Sequence, residues 1–454
     1  MTDQMGLWDE QSPQPLQETR PLLKMVREMV REKALEMGLE LDDPAALNEV
    51  ADRLIVRLAE ELFDEEVEQV TAEPGVRRHS RMRGSIGFGA RRLEVRVPRI
   101  ARADGTTTLP DRYRRFSARE QQNETVARMA GAGVTSRRYR EALVAAGEEV
   151  PRGLGKTAFQ GRNRKQADAD LTKLRTRDPQ ADGTIVTIDA DGLAMGSKGK
   201  KRTVVVLIGT TTTGARVAID IATGQYETAE LVTGLLRRTA ERGVDLRRVA
   251  WRIDGGKGLA GGIRAVAGAS APVQRDVEHK RRNLKDALVD EANFEQVNGQ
   301  LSHAWAMTDP GRALEALEAC ATTLDALGEE KAARSLRGDV EQTVTFARLG
   351  VSGELLRAMR HTQGIESVMG GVRRRTRRIT TWTDDAMREA WVAWALMREE
   401  AGWAPIPCAD ELAALPDAVT AERARVERET AAAEQGAEEA AEQGAEEAAP
   451  GTGA

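Results

Sequence analysis

The stretch IESVMGGVRRRTRRI, residues 365 to 379, sets one carboxylate, Glu366, seven residues ahead of a run containing Arg373, Arg374, Arg375, Arg377 and Arg378. An acid beside so much positive charge has two readings. One is a solvated helix face of mixed charge; the other is an oxygen ligand for a metal ion, flanked by arginines that hold a phosphate backbone. The second reading needs partner acids, and two other stretches carry them. TIVTIDADG ends an apolar run with Asp189 and Asp191, and VAWRIDGGKGL ends another with Asp254. In an α/β sheet, acids at the carboxyl ends of strands point into the crevice where ligands bind. The small residues after each acid let a bulky partner come close to the backbone. Any one Asp-Gly is most simply a turn, but two such sites at the tips of strands that could be neighbours change the balance. Carboxylates held together repel one another unless a cation lies between them, and hard oxygen donors suit Mg²⁺ or Mn²⁺. Two such ions about 4 Å apart can activate an attacking oxygen and stabilise a leaving one in phosphoryl transfer.

The elements that must position these acids can be read from periodicity. From residue 184 the sequence gives TIVTIDADG, RTVVVLIGTT and ARVAIDIATG, then a helix, the strand VAWRIDGG, a further helix and APVQRDVEH. Three strands joined by Gly- and Thr-rich turns, followed by helix, strand, helix, strand, predict an α/β unit with a mixed sheet. Residues 280 to 358 read as almost wholly helical, and helix resumes near 384. If that helical segment is an insertion, the chain returns to the sheet with Glu366. Gly370 and Gly371 interrupt the helix that carries it, at about 1 kcal/mol each relative to Ala, which predicts a short or bent element there. Upstream, residues 21 to 72 carry apolar positions at helical spacing, RRLEVRVPRIA reads as one short strand ending at Pro98, and 117 to 170 read as two short helices compatible with a helix-turn-helix.

With 454 residues the chain is too long for one core, and two to four units of roughly 100 to 150 residues are expected. Charged residues make up 31%, and no apolar run approaches the roughly 18 residues of a membrane span. The N-terminus shows no secretory pattern, and Cys320 and Cys408 form neither a disulfide framework nor a CxxC pair. A reducing cytoplasm is expected. The net charge of −5 conceals an uneven distribution: residues 77 to 115 are rich in arginine, while EQGAEEAA occurs at 434 to 441 and again at 442 to 449. The acidic end is expected to be disordered. Phosphate attraction is screened within roughly 10 Å, so local basic stripes matter more than the total.

DADG at 189 to 192, RIDGGKGL at 252 to 259, VQRDVEHKRRNL at 273 to 284 and HTQGIESVMGGVRRRTRRITTW at 361 to 382 resemble, in that order, the motifs of Mutator-type bacterial insertion-sequence transposases. Upstream, GSIGFGARRLEVRVPRIARADG and GVTSRRYREALVAAG are similar to the DNA-binding half of that family, so the resemblance covers roughly residues 75 to 400. It implies an α/β ribonuclease-H-like catalytic core with a helical insertion, preceded by a mainly helical DNA-binding region. The corresponding boundaries are 1–74 for an N-terminal helical region, 75–180 for DNA binding, 181–280 with 359–405 for the catalytic core, 281–358 for the insertion and 406–454 for the acidic tail. It implies an Asp, Asp, Glu triad, Asp191, Asp254 and Glu366, holding two Mg²⁺ or Mn²⁺ ions, with Asp189 the rival for the first place. Asp276 and His279 fill a position where the family often has Cys or Asp before His, and are expected near the site; a helix-start histidine bonded to backbone is the alternative for His279. The five arginines at 373 to 378 are expected to contact DNA.

The implied activity is metal-dependent 3′-strand cleavage and strand transfer at the terminal inverted repeats of a mobile element, by a homodimer or larger assembly in the bacterial cytoplasm, associated with the nucleoid. A nuclease or resolvase that does not join strands, and a DNA-binding regulator derived from a transposase, are the alternatives.

Overall fold

The computed structural model describes residues 44–88, 91–118, 156–196, 201–361, 363–379 and 381–447, with a few positions besides. It divides into two compact units, Met1–Gln166 and Ala167–Ala454. Most of the expected helix before residue 44 and most of the expected helix-turn-helix lie outside the described residues.

In the first unit, helix α1 (Pro44–Thr71) lays Ala59 and Phe63 against Ile86 of strand β1 (Arg77–Phe88) and Leu93, Val95 and Val97 of β2 (Arg91–Ala101). Where the sequence predicts one short strand, there is a long antiparallel hairpin. The inward positions of β2 are apolar and alternate with outward Glu94 and Arg96, so burial has period two, as a one-sided sheet requires. Strand β2 also runs on through Pro98. That residue faces Arg81, where the register shifts between Arg78 and Arg81, and such an irregularity tolerates a residue with no N–H to donate. A two-residue strand β3 (Thr107–Thr108) and helix α2 (Asp111–Ser117) follow, with Tyr113 edge-on to Phe63 at 5.7 Å between ring centroids.

Helix α3 (Lys156–Thr176) is one continuous element. Beyond it the second unit is built on five strands: β4 (Ile185–Met195), β5 (Arg202–Thr211), β6 (Arg216–Gly224), β7 (Ala250–Ile253) and β8 (Val273–Arg275). Their order is β6-β5-β4-β7-β8. The first three are antiparallel, and β7 and β8 run parallel to β4, the mixed sheet expected from the sequence. Helices α4 (Ala229–Glu241) and α5 (Lys257–Ala267) pack Val232, Leu235, Leu259 and Ile263 on one face, against Ile188, Ala190 and Trp251. The opposite face, with Val186 and Ala250, receives Leu355 and Leu356 of α11 (Gly353–Met359) and the start of α14 (Ala409–Glu447).

Between β8 and α11, helices α6 (Val277–Ala287), α7 (Ala292–Ala304), α8 (Pro310–Ala326), α9 (Glu330–Arg337) and the short α10 (Thr345–Arg348) follow one another. Leu284, Val297, Leu301, Leu317, Leu324 and Leu336 form a core of their own among them. Helices α12 (Gln363–Thr376) and α13 (Asp385–Glu400) then return the chain to the sheet.

Two expectations are corrected. Helix α12 is continuous through Gly370 and Gly371. A side chain at Gly371 would overlap the Glu399 carboxylate, so this glycine makes room for a neighbour without breaking the helix. The segment after 406 is not disordered from its start, because α14 buries Leu412, Leu415 and Val419. These lie at helical spacing ahead of the acidic repeat, and an average composition over the whole tail conceals them. Among the described residues no helix is long and apolar enough to cross a membrane.

Candidate functional site

Asp189 and Asp191 sit two residues apart on β4 and face the side of the sheet opposite Ile188 and Ala190, as strand alternation requires. Their environments separate them. Asp189 is 1% exposed and holds the guanidinium of Arg252, its register partner on β7, through both carboxylate oxygens. Arg252 also donates from Nη1 to the carbonyl oxygens of Ala358 and His361, at 3.1 and 3.2 Å. Asp189 is therefore engaged in a buried ion pair that ties the sheet to the chain leading into α12.

Asp191 is half-buried and accepts a 2.7 Å hydrogen bond from the Gly192 amide. Its carboxyl is pushed up to about 6, first by burial and then by the negative charge of Asp254, with Glu366 adding to the rise and His279 opposing it. Asp254 follows the last residue of β7 and accepts from the Gly256 amide at 2.7 Å. Glu366, in the first turn of α12, accepts from Arg282 Nη1 at 3.1 Å and lies 3.5 Å from His279 Nε2. Asp276 caps α6: its Oδ1 accepts from the His279 amide at 2.7 Å. The His279 imidazole is held above its ordinary pKa, first by Asp276, whose Oδ1 lies 3.5 Å from Nδ1, and then by the charges of Glu366 and Asp254, with burial opposing them. Asp191, Asp254, Glu366 and His279 are thus near enough to sense one another, and Asp276 reaches the group through His279.

Glu227 also belongs here, although no motif or strand end marks it. Glu227, just before α4, has its carboxyl pushed up to about 7 by burial, then by Asp254 and Asp191. The glycines of DADG and DGGKG surround it. A Cβ at Gly192 would lie 2.7 Å from Glu227 Oε2, one at Gly256 would overlap Glu227 Oε1, and one at Gly258 would overlap the Glu227 backbone. The bulky partner that those small residues admit is this side chain. Its only sequence signal is reciprocal, an acid at a helix start that has to fit against glycines elsewhere.

Of the arginines, Arg373 and Arg374 are exposed on the last turns of α12, and Arg377 and Arg378 are exposed beyond its end at Thr376. Arg375 turns the other way, with Nε 2.6 Å from Glu399 Oε1.

The carboxylate donors suit a hard divalent cation, and the raised values at Asp191 and Glu227 mark a site short of positive charge. Among the described residues, no three His, Cys, Asp or Glu side chains already surround one point as a bound ion requires. Glu366 is instead turned toward Arg282 and His279. The donor chemistry fits, and a cation would have to compete with those two groups for Glu366.

A family model described as "Transposase, Mutator family" matches residues 24–404. The search of curated proteins returned no match.

Proposed function

Because the chain belongs to the Mutator family of transposases, we propose that its second unit is a ribonuclease-H-like nuclease core in which Asp191, Asp254 and Glu366 hold two Mg²⁺ or Mn²⁺ ions. The strand order and the helical segment between Asp254 and Glu366 support that fold. The observation that carries the site is the packing of the Glu227 carboxylate against Gly192, next to Asp191, and against Gly256, beside Asp254; burial and the charges of Asp254 and Glu366 raise the Asp191 carboxyl accordingly. Bound cations would keep these carboxylates ionised, lower the cost of deprotonating the attacking oxygen and neutralise the leaving one.

The chain's own residues do the rest. Asp189 and Arg252 fix β4 to β7 and to the entry of α12, setting where Asp191 and Glu366 meet. Glu227 supplies a further oxygen donor facing Asp191 and Asp254. Arg373, Arg374, Arg377 and Arg378 lie along or just past α12, where they can hold backbone phosphates of the strand being cut. In the first step water attacks the phosphodiester at the element end, a new P–O bond forms and the 3′ oxygen leaves as a hydroxyl. In the second, that hydroxyl attacks a target phosphodiester and displaces the target's own 3′ oxygen, so no covalent protein intermediate is needed. Joining two ends calls for a homodimer or larger assembly, with element ends and target as the double-stranded DNA partners.

The test is Asp191→Asn, Asp254→Asn and Glu366→Gln, each assayed by gel shift and by nicking with Mg²⁺ on DNA that carries the element ends. Each variant should bind DNA and lose nicking by on the order of 10³-fold or more. Full nicking by folded Glu366→Gln would remove it from the triad. A labelled 3′-hydroxyl end that is cut but never joined to target would favour a nuclease without strand transfer.

A further inference from the structure

On the other side of α12 from the acids lies a cavity of about 650 Å³ that the proposed chemistry does not use. Its wall is cationic. Arg216, Arg357, Arg375 and Arg398 line it, with His361, Ser367 and Trp403, and its one acid is Glu399. Two of the four arginines are neutralised: Arg375 by Glu399 at 2.6 Å, and Arg398 by Asp170, also at 2.6 Å. Among the described residues neither Arg216 nor Arg357 is in an ion pair. The Arg216 guanidinium lies over the Trp403 ring, 5.0 Å from its centroid, and its buried Nη2 has no hydrogen-bond partner there either. Gly364 leaves it space, since a Cβ at that position would be 3.0 Å from the same Nη2.

A buried guanidinium nitrogen without an acceptor is costly, because desolvation is not offset by a bond. Burial also pulls the Arg216 pKa below the ordinary arginine value. An anion arriving in the cavity would give the guanidinium the counter-charge it lacks, and a small shift of the side chain would then offer Nη2 an acceptor. The neighbouring Asp189 does not serve, since Arg252 holds both of its oxygens. A phosphate presents several acceptor oxygens that two guanidinium groups can share, arginine's planar fork fits them, and the Ser367 hydroxyl adds a donor at the rim.

We propose that this cavity is a phosphate-binding site, with Arg216 and Arg357 as its cations. Helix α12 supplies Glu366 to the acids and Gly364, Ser367 and Val368 to the cavity, so a phosphate held here is registered against the third acid by a single rigid element. The carrier is a backbone phosphate of DNA, and that identity alone rests on the transposase reading. The anion site itself stands on the cavity's own charges.

The experiment uses the full chain without divalent ions, so that cutting does not intervene. Polarisation of a labelled duplex is measured across a salt series for the wild type, Arg216→Gln, Arg357→Gln and the double variant. Thermal unfolding is followed in parallel with inorganic phosphate and pyrophosphate against chloride of equal ionic strength. If DNA carries the phosphate, each single variant weakens duplex binding by about tenfold. The double variant then lowers the slope of log affinity against log salt by about 0.9, as for one phosphate contact. If a free anion is the ligand, phosphate or pyrophosphate raises the wild-type melting temperature saturably and fails to raise that of the double variant, while the salt slope is unchanged. Variants that match the wild type in both measurements overturn the proposal. Arg357 is exposed, so Arg357→Gln keeps the test open if Arg216→Gln fails to fold, and Arg216→Lys should retain part of the binding. Asp254→Asn run alongside separates the two ideas, since it should lose nicking and keep the phosphate response.

Discussion

At the scale of single residues, two aspartates two positions apart on one strand have different work. Asp189 and Arg252 are 1% and 3% exposed and face each other across β4 and β7. Removing one partner of such a pair leaves a buried charge without compensation, at a typical cost of about 3 to 5 kcal/mol. Asp189→Asn is therefore expected to lower the urea midpoint sharply, while the fraction that remains folded still nicks DNA. Asp191→Asn should do the reverse, leaving stability unchanged or slightly raised because it removes a repulsive charge beside Asp254. Equal loss of nicking per folded molecule in both variants would mean that Asp189 belongs among the ligands. The sequence alone left these two acids as rivals, because spacing places both on one face and says nothing of which finds a counter-ion. Arg252 was in view within RIDGG, but its pairing depends on the β4–β7 register, a long-range fact. Glu227 escaped for the same reason: it sits outside any strand end and is recognisable only once three distant glycines are seen around it.

Among elements, those with a strong local period were the most legible. The five-stranded sheet could be read because its strands are apolar and separated by Gly and Thr turns. Strand β1 could not, since Gly84 interrupts its inward positions and its outward ones mix arginine with Ser85 and Gly87, so no alternation shows. The last helix was hidden by composition, and its structure makes a graded prediction. Truncation after residue 433 should leave melting and nicking unchanged, because the acidic repeat starts at 434. Truncation after residue 408 should expose the apolar surface that Leu412, Leu415 and Val419 cover and yield an aggregating or unfolded chain. Identical melting curves for the two truncations would refute a structural role for α14. In the helical insertion, Glu329 is 2% exposed and accepts from the amides of Val289 and Asp290, at 2.7 and 2.9 Å, and from Asn293 Nδ2 at 2.9 Å, joining the α6–α7 and α8–α9 connections. Those hydrogen bonds hold its carboxyl below the usual range, the Val289 amide most strongly. The unfolded chain therefore binds the proton more readily, so the stabilisation is complete above the ordinary glutamate value of about 4.3 and is lost as pH falls through the lower folded one. Compared with the wild type, Glu329→Gln should melt lower at pH 7 and lose less stability between pH 5 and pH 3. Parallel melting-versus-pH curves for the two proteins would count against this linkage.

For the whole molecule, the near-neutral total hides charge that is sorted by place. On the exposed face of the first unit's hairpin, Arg83 stands directly opposite Arg96. Like charges so placed destabilise a sheet unless an anion bridges them. In the full chain, Arg83→Gln with Arg96→Gln should lower the salt slope of duplex binding by about 0.9, as for one bridging phosphate, while raising thermal stability slightly. A slope that stays the same would place DNA contact elsewhere. Distance along the chain has a further effect. The third acid of the proposed site lies beyond four helices, α6 to α9, that share a core, and two of its contacts, His279 and Arg282, stand on the first of them. During synthesis the arginine-rich hairpin, Asp191 and Asp254 all leave the ribosome before Glu366, by an interval on the order of ten seconds. Throughout that time the nascent protein carries its basic hairpin and no complete set of acids. If the first unit is the DNA-binding part, a message broken within the insertion would yield fragments that occupy DNA without cutting it, and premature termination would produce inhibitors of the intact protein.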